Sequence, residues 1–131
     1  MSNLSNEEQI RALIENWAKA VRNADIDAIL AHHSKDIVMY DVPEPFQSVG
    51  IGAYRKTWDT FFAGTRLGIF DIDKMQVVAG EEVAFCFGTM KCSNKEKNGQ
   101  FEDLPFRLTV GLKKINDAWT IIHEHHSIPA L

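Results

Sequence analysis

The residues with the clearest chemical potential lie near the end of the sequence, which reads IIHEHHSIPAL from Ile121 to Leu131. Three of the chain's five histidines and one glutamate lie there within the four positions from His123 to His126. Imidazoles and a carboxylate this close together can exchange protons near neutral pH or bind a metal ion. Which chemistry is available depends on which of these side chains share a face.

The segment that carries them is predicted to be a β-strand of a hairpin. Asn116 and Asp117 tolerate the positive φ angles of a two-residue type I′ turn. An uninterrupted register from that turn places Leu112 opposite Ile121 and Leu108 opposite His125. Strand alternation then puts His123 and His125 on the inner face with Ile121, and Glu124 and His126 on the outer face with Arg107.

Two inward histidines favour an enclosed pocket over a solid apolar core, because a buried polar ring without a partner costs about 1–3 kcal/mol. His123 and His125 are therefore predicted to face a ligand or water. The alternative is that they are core histidines, each bonded to a backbone carbonyl or to a tyrosine. The sequence alone leaves both interpretations open.

Helices are predicted in the first half of the chain. Ser5 and Glu8 form a capping box ahead of a long helix, in which apolar residues recur at helical spacing from Ile10 to Val21. Asp25 can cap a shorter helix from Ile26 to about His33. Ile29 and Leu30 of this second helix are predicted to face inward.

A strand is predicted over 37–40, followed by a third helix that ends at Gly64. From Arg66 onward the pattern is one of strands separated by turn signals, with segments near 67–79, 82–93, 101–114 and 118–128. Helices followed by a meander of antiparallel strands predict an α+β fold, with the helices packed on one face of a curved sheet. A length of 131 residues fits a single domain, 1–131.

The composition, 45% hydrophobic and 24% charged, is that of a globular protein. A net charge of −4 argues against nucleic acid or an anionic membrane as partner. No apolar run reaches the ~20 residues of a membrane helix, and the polar N-terminus is unlike a signal peptide, so a cytoplasmic location is expected. Cys86 and Cys92 are predicted to lie on one strand. At that spacing they are too far apart for a disulfide, so reduced thiols are expected.

The order of these elements, together with five segments, resembles the SnoaL-like proteins of the ketosteroid-isomerase-like group, within the nuclear-transport-factor-2-like (NTF2-like) superfamily. The segments are ADIDAIL from Ala24, DIVMYDVP from Asp36, GAY from Gly52, TVGL from Thr109 and WTIIHEHHSIP from Trp119. The resemblance implies a cone-shaped barrel, in which a strongly curved antiparallel sheet and three helices enclose an apolar pocket. It also implies a homodimer through the outer sheet face, which would place Arg107, Glu124 and His126 at the dimer interface.

The resemblance also points to a general base. In ketosteroid isomerases this base is an aspartate after the first strand, ahead of a proline. Asp41 occupies a similar position, although Val42 intervenes before Pro43. Its alternation with Ile37 and Met39 places Asp41 on their face. Asp41 is therefore predicted to act as a base, or alternatively to cap the turn that follows it.

The hydrogen-bond donors of those isomerases are missing, because Trp17 stands where they carry a tyrosine and the segment from Phe106 to Leu112 has no carboxylate. Steroid isomerisation is therefore not expected. The predicted function is isomerisation, cyclisation or dehydration of a small hydrophobic carbonyl compound, with Asp41, His123 and His125 as catalytic residues and no metal or other cofactor. The expected ligand-binding residues are Trp17, Tyr54, Trp58, Phe61, Phe62, Phe106 and Leu108.

Three alternatives remain open at this point. The protein would be a non-catalytic carrier or sensor if the histidines only orient a ligand, or a dimeric assembly domain if the cavity is vestigial. Asp41, His123 and His125 would also make a two-histidine, one-carboxylate metal set, although the resemblance implies no metal. His32 and His33 are expected at the end of the second helix, either in the pocket or on the surface.

Overall fold

The structure, a computed structural model, describes residues 4–64, 66–95, 101–103 and 105–130. The described elements are α1 (Asn6–Arg22), α2 (Ile26–Leu30), β1 (His33–Tyr40), β2 (Ser48–Val49), α3 (Ile51–Gly64), β3 (Arg66–Ala79), β4 (Val83–Lys95), β5 (Phe101–Asp103), β6 (Phe106–Ile115) and β7 (Ala118–Ser127). The predicted α+β class is confirmed. None of the described helices is long and apolar enough to cross a membrane.

The described strands form one curved sheet in the order β2-β1-β7-β6-β4-β3, with β5 paired to β4 beside this path. The family resemblance implied a cone-shaped barrel with a strongly curved sheet; the sheet is curved but not closed, with β2 and β3 at its edges. Its neighbouring strands are antiparallel except for β1 and β7, which run parallel. β6 and β7 are antiparallel because a two-residue turn joins them. β1 and β7 can run parallel because the long chain segment between them includes the other strands and α3.

The helix starts are confirmed, and one helix end is corrected. Ser5 and Glu8 form the capping box of α1, and the Asp25 carboxylate accepts the N–H of Ala28 to cap α2. The second helix ends at Leu30 and does not reach His33. The backbone of His32 has a φ of 61°, which is incompatible with a continuing α-helix. His33 therefore becomes the first residue of β1, where its side chain can reach the protein interior.

The core lies between the helices and the inner face of the sheet. α1 packs mainly on β3, and α3 packs on β1 and β2. Most of the side chains buried there are apolar; the buried polar residues include Ser48 on β2, Ser93 on β4, and Glu124 and His126 on β7. Both cysteines lie on β4 as predicted, and both are buried. Fully buried members include Ile10, Ile14, Ile29, Ile37, Tyr54, Leu112 and Ile121.

The turn between β6 and β7 forms as predicted. Asn116 and Asp117 both adopt positive φ angles, 52° and 68°, as a type I′ turn requires. Next to the turn, Ile115 pairs with Ala118, in the predicted register. The local turn chemistry therefore determines the start of the hairpin.

A β-bulge then interrupts the register. Leu112 still pairs with Ile121, but the next pair joins Gly111 to His123. Ile122 is the extra residue, and its side chain is 37% exposed on the outer face. One inserted residue reverses the alternation of every side chain that follows it on the strand.

The prediction that His123 and His125 point inward is therefore wrong. Glu124 and His126 face the core instead, with only 1% and 7% of their surfaces exposed, while His123 and His125 lie on the outer face. The prediction that Glu124 and His126 occupy a dimer interface is wrong for the same reason. Arg107 does lie on the outer face, where its Nε donates to Ser127 Oγ at 3.1 Å.

Candidate functional site

An apolar cavity of about 230 Å³ lies between α3 and the inner face of the sheet. Among its described lining residues, Asp41 and His126 supply the only carboxylate and the only imidazole. The cavity is smaller than the ~300–1,000 Å³ typical of pockets for drug-sized ligands. Its walls are formed by Asp41, Val42, Pro43, Thr57, Trp58, Phe61, Phe70, Cys92, Phe106, His126 and Ile128.

Asp41 follows β1 and reaches the cavity wall, as its alternation with Ile37 and Met39 predicted. Its Oδ1 accepts the backbone N–H of Val42 at 2.8 Å and lies 3.5 Å from Nδ1 of His126. The carboxylate thus also makes the local turn contact that was the alternative role. Both contacts use Oδ1, and within the described part of the chain no hydrogen bond to Oδ2 is seen. Oδ2 is thus the oxygen free to meet a bound molecule.

His126 links the cavity to a second, fully buried carboxylate. Its Nε2 lies 3.0 Å from Oε1 of Glu124, opposite the contact with Asp41. The ring is enclosed by aromatic side chains, with centroid distances of 6.0 Å to Trp17 and 5.7 Å to Phe106. Burial opposes the charged form, but hydrogen bonds and charges of both carboxylates outweigh it and raise the pKa of His126 to about 9.

Glu124 accepts hydrogen bonds on both of its oxygens. Besides the His126 contact at Oε1, its Oε2 accepts the Tyr54 hydroxyl at 2.8 Å and lies 2.5 Å from Nε2 of His33. Burial disfavours the carboxylate, but hydrogen bonds and charges from His126 and His33 outweigh it and lower the pKa of Glu124 to about 2. Glu124 is therefore ionised at neutral pH.

Both ring nitrogens of His33 contact oxygen atoms. Its Nδ1 lies 2.8 Å from the carbonyl oxygen of Ala31, which can only accept, so Nδ1 carries a proton. Its Nε2 faces the ionised carboxylate of Glu124, which also can only accept. Asp41, His126, Glu124 and His33 thus form an alternating row of carboxylates and imidazoles, the buried charge row.

Tyr54 completes the surroundings of the buried charge row. Its hydroxyl donates to Glu124 and accepts the indole N–H of Trp17 at 3.1 Å. Burial, followed by the charge of Glu124, raises the pKa of Tyr54 well above its ordinary value of 10, so the phenol stays neutral. Tyr54 was predicted to bind ligand, but it lies behind the cavity wall and serves Glu124.

His123 and His125 do not belong to this site. His123 donates from Nδ1 to the carbonyl oxygen of Val38 at 2.6 Å, and both rings pack edge-on against Tyr40 on the outer face. The carbonyl contact expected in the alternative is present for His123, but both histidines lie outside the core, so the prediction of core histidines is wrong as well. Asp41 lies on the inner face, so the metal set of Asp41 with these two histidines is not formed.

Of the residues predicted to bind ligand, Trp58, Phe61 and Phe106 line the cavity. Phe62 stacks on Trp58 with a centroid distance of 5.8 Å and is not part of the wall. The remaining three, Trp17, Tyr54 and Leu108, are buried outside the lining. The aromatic stripe of the helices thus divides between the core and the cavity.

The sequence reasoning missed the pairing of Glu124 with His126 and His33. One signal was present, because the adjacent Ile121 and Ile122 break the apolar–polar alternation of the strand. Cys92 was also missed as a wall residue. Burial raises the pKa of its thiol to about 11, so it contributes an uncharged, weakly polar group to the cavity.

The buried charge row predicts a maximum of stability at mildly acidic pH. Glu124 has an ordinary pKa of 4.5, lowered to about 2, so its contribution is complete above pH 4.5 and is lost as the pH falls towards 2. His126 has an ordinary pKa of 6.5, raised to about 9, so its contribution is complete below pH 6.5 and is lost as the pH rises through 9. Both contributions are complete only between pH 4.5 and 6.5.

Urea denaturation at a series of pH values measures this dependence. The free energy of unfolding should be greatest between pH 4.5 and 6.5 and should fall between pH 6.5 and 9. In a His126→Gln variant the fall on the alkaline side should become smaller. An alkaline fall of the same size in both proteins would show that His126 is not its source.

Comparison with known proteins relates the chain to one protein family. The sequence model of a family described as the SnoaL-like domain matches residues 10–131. No curated protein matches the chain. Among solved structures, an NTF2-like protein of unknown function from Pseudomonas putida KT2440 is 32% identical to it, with a TM-score of 0.84. That alignment covers 94% of this chain and 86% of the other.

Two more distant structures share the fold. A candidate dehydratase of the NTF2-like family from Streptomyces avermitilis is 15% identical, with a TM-score of 0.81, over 95% of this chain and 96% of that one. A ketosteroid isomerase-like protein from Erwinia carotovora atroseptica SCRI1043 is 22% identical, with a TM-score of 0.76, over 94% of this chain and 97% of that one. At these identities the likeness is one of fold alone.

Proposed function

The chain belongs to the SnoaL-like domain family, and from this premise we propose that it is an enzyme that catalyses acid–base chemistry on a small hydrophobic carbonyl compound. The observation that carries the proposal is the position of Asp41. Its carboxylate lies at an otherwise apolar cavity and contacts a buried imidazolium. A carboxylate in such surroundings can remove a weakly acidic proton from carbon, because apolar walls keep competing water away.

The proposed reaction begins when Oδ2 of Asp41 takes a proton from the carbon next to the carbonyl group. The electron pair of the broken C–H bond moves into the carbonyl, which becomes an enolate. Return of the proton to a different carbon gives an isomer, whereas loss of a β-hydroxyl group with that proton gives a dehydrated product and water. Both outcomes need the same base and the same apolar cavity.

His126 acts on Asp41 in this proposal. Both of its nitrogens already contact carboxylates, so its N–H groups hold Asp41 and Glu124. When Asp41 gains the proton, its negative charge no longer offsets the positive charge of the His126 imidazolium. This charge lies next to the cavity and stabilises the enolate electrostatically. The proposal thus replaces the predicted donors, His123 and His125, with an imidazolium behind the base.

The size and polarity of the cavity support a small, uncharged substrate. A volume of about 230 Å³ lies below the ~300–1,000 Å³ of pockets for drug-sized ligands, so the cavity suits a smaller molecule. The described lining residues other than Asp41 and His126 are mainly aromatic and aliphatic. Their polar side-chain groups are the hydroxyl of Thr57, the thiol of Cys92 and the indole N–H of Trp58. An additional charge on the ligand would be buried without a partner, which is unfavourable.

The two distant structural neighbours also support the proposal. One is a candidate dehydratase, and the other is ketosteroid isomerase-like. Both reaction classes depend on proton transfer at a carbon close to a carbonyl group. The choice between isomerisation, cyclisation and dehydration depends on the substrate, because all three can start from the same enolate.

A substrate panel with an Asp41→Asn variant tests the proposed function. Cyclic β,γ-enones and β-hydroxy ketones are incubated with the protein, and formation of the conjugated enone is followed by ultraviolet absorbance. We expect turnover by the wild-type protein and a loss of at least about 100-fold in kcat/KM in Asp41→Asn, because an amide cannot act as the base.

Asp36→Asn is the matched control. Asp36 is an exposed aspartate on β1, the strand that precedes Asp41, and lies outside the cavity lining, so this variant should keep wild-type turnover. Equal turnover by the wild-type protein and by Asp41→Asn would exclude Asp41 as the base. Equal losses in the two aspartate variants would show that the effect is not specific to the cavity.

We further propose that the protein forms a homodimer through the outer face of the sheet. That face carries Val83, Phe85 and Phe87 on β4, which are 63%, 47% and 40% exposed, and the rings of Phe85 and Phe87 stack on each other. His123 and His125 lie on the same face, in place of the predicted Glu124 and His126. An apolar surface of this kind is typical of an interaction site.

Sedimentation velocity of wild-type protein and Phe85→Glu tests the dimer. We expect the wild type to sediment as a dimer and the variant to dissociate at least about 100-fold more readily, because a charge would be buried at the interface. Phe46→Glu is the control, since Phe46 is 95% exposed on the loop after Asp41 rather than on the sheet. Dissociation by both variants, or by neither, would contradict this interface.

A further inference from the structure

Glu124 does not line the cavity, yet it contacts the imidazole that does. It is 1% exposed, and its Oε1 lies 3.0 Å from Nε2 of His126. A buried carboxylate is unfavourable unless it is fully hydrogen-bonded. Glu124 meets this condition through His126, His33 and Tyr54. Its contact with His126 connects Glu124 to the cavity wall.

Each ring nitrogen of His126 contacts a carboxylate, and these contacts indicate its protonation state. A neutral imidazole has a single N–H and would satisfy only one of two flanking carboxylates. His126 lies between Asp41 at 3.5 Å and Glu124 at 3.0 Å, so both of its nitrogens face acceptors. The doubly protonated ring is the form that satisfies both contacts at once.

The orientation of Glu124 is itself determined from behind. His33 donates to Oε2, and its other nitrogen donates to the carbonyl oxygen of Ala31. The Tyr54 hydroxyl donates to the same Oε2. The His33 side chain is fully buried, so no water competes for these contacts. The plane of the carboxylate, and with it the position of His126, is thus anchored to the backbone at the start of β1.

We propose that Glu124, supported by His33, is a positioning residue that keeps His126 doubly protonated and so holds the His126 Nδ1–H on Oδ1 of Asp41. The base then presents Oδ2 to the cavity in one orientation. The proposal rests on the proposed function for the role of Asp41. The charge state that Glu124 imposes on His126 can be measured without any substrate.

The other groups around the row do not account for the charge of His126. Asp41 and Glu124 are the titratable groups that contact its ring, and the aromatic rings packed on it are uncharged. Glu124 also interacts with Tyr54 and with Cys86. Burial raises the pKa of Cys86 to about 12, partly offset by the distant charge of Arg11, so this thiol stays neutral.

Nuclear magnetic resonance of ¹⁵N-labelled imidazoles tests the proposal. The His126 signals are assigned with a His126→Gln variant and followed from pH 5 to 10. We expect both nitrogens of wild-type His126 to carry protons up to about pH 9. In Glu124→Gln the midpoint should fall by about 1–3 pH units, because the amide carries no charge.

Tyr54→Phe is the matched control, since it removes a neutral hydrogen bond from the same carboxylate and leaves the charge in place. It should leave the His126 midpoint within about half a pH unit of wild type, as a neutral donor contributes less than a charged partner. A neutral His126 in the wild-type protein at pH 7 overturns the proposal, even if Glu124→Gln does not fold. Equal midpoints in wild type and a folded Glu124→Gln also overturn it.

Kinetics separate positioning from a purely structural role. With an enone that the wild type converts, Glu124→Gln should lower kcat at least about 10-fold while KM changes less than about 3-fold. The alkaline limit of its kcat should move from near pH 9 to a pH about 1–3 units lower, together with the His126 midpoint. An unchanged kcat in Glu124→Gln overturns the positioning role. Absence of wild-type turnover counts against the proposed function, and the imidazole titration then decides the inference alone.

Discussion

Replacing Glu124 with leucine is expected to lower the free energy of unfolding at pH 6 by about 3–5 kcal/mol. The reason is that His33 and His126 would each keep a buried N–H with no carboxylate to accept it. Tyr54 would lose its acceptor as well. Urea denaturation followed by tryptophan fluorescence measures the loss. This prediction is large because Glu124 is the single group that the other three share.

The comparison with coupled variants makes this prediction specific. Glu124→Gln keeps one acceptor oxygen and should lose less stability than Glu124→Leu. A triple variant with leucine at 33, 124 and 126 should also lose less than Glu124→Leu alone, because it leaves no buried N–H of the histidines unpaired. Losses that simply add across the three positions would contradict a shared network.

Deletion of Ile122 is expected to abolish cooperative folding. It should remove most of the roughly 5–15 kcal/mol that stabilises a domain of ordinary stability. Without the extra residue, the register next to the turn would continue along the strand and turn Glu124 and His126 to the outer face. His123 and His125 would then enter the core, where His33 and Tyr54 offer no carboxylate to replace Glu124. Circular dichroism melts and the dispersion of ¹H–¹⁵N spectra measure the outcome.

Ile122→Ala is the control for the deletion. It removes most of a side chain that is 37% exposed but keeps the inserted residue, so it should cost no more than about 1 kcal/mol. A deletion variant with a native-like spectrum and an unchanged melting temperature would show that the bulge does not determine which residues face the core.

The elements whose signals are local were predictable from the sequence. The capping box at Ser5 and the carboxylate cap at Asp25 mark helix starts through contacts within a few residues. The Asn116-Asp117 turn determines its own backbone geometry. Asp41 was placed on the inner face correctly because no bulge lies between it and Met39 in the described strand.

The inner face of β7 was not predictable in the same way. A bulge changes the face of all later residues, and the register shift at Ile122 lies between the pairs Leu112–Ile121 and Gly111–His123. Glu124 and His33 are 91 positions apart in the sequence, and Glu124 and Tyr54 are 70 apart. Reasoning from alternation alone therefore assigned the two pairs of polar residues to the wrong faces.

The fold prediction was more reliable than the site prediction for a related reason. The α+β class follows from many residues, so one error in register does not change it. The candidate site depends on a few side chains, and a single inserted residue exchanges His123 and His125 for Glu124 and His126. The family resemblance pointed correctly to Asp41 as a residue of the cavity wall, while its role as a base remains a proposal.

Exchange of carbon-bound protons in D₂O tests the proposed base most directly, because it measures proton transfer without requiring complete turnover. Small cyclic ketones and enones are incubated with the protein near pH 6, and loss of the α-proton signal is followed by ¹H nuclear magnetic resonance. We predict exchange well above the buffer rate with wild type and with Asp36→Asn, and exchange at the buffer rate with Asp41→Asn. Exchange that is equally fast with wild type and Asp41→Asn, or no faster than buffer with any of the three proteins, would contradict the assignment of Asp41 as the base.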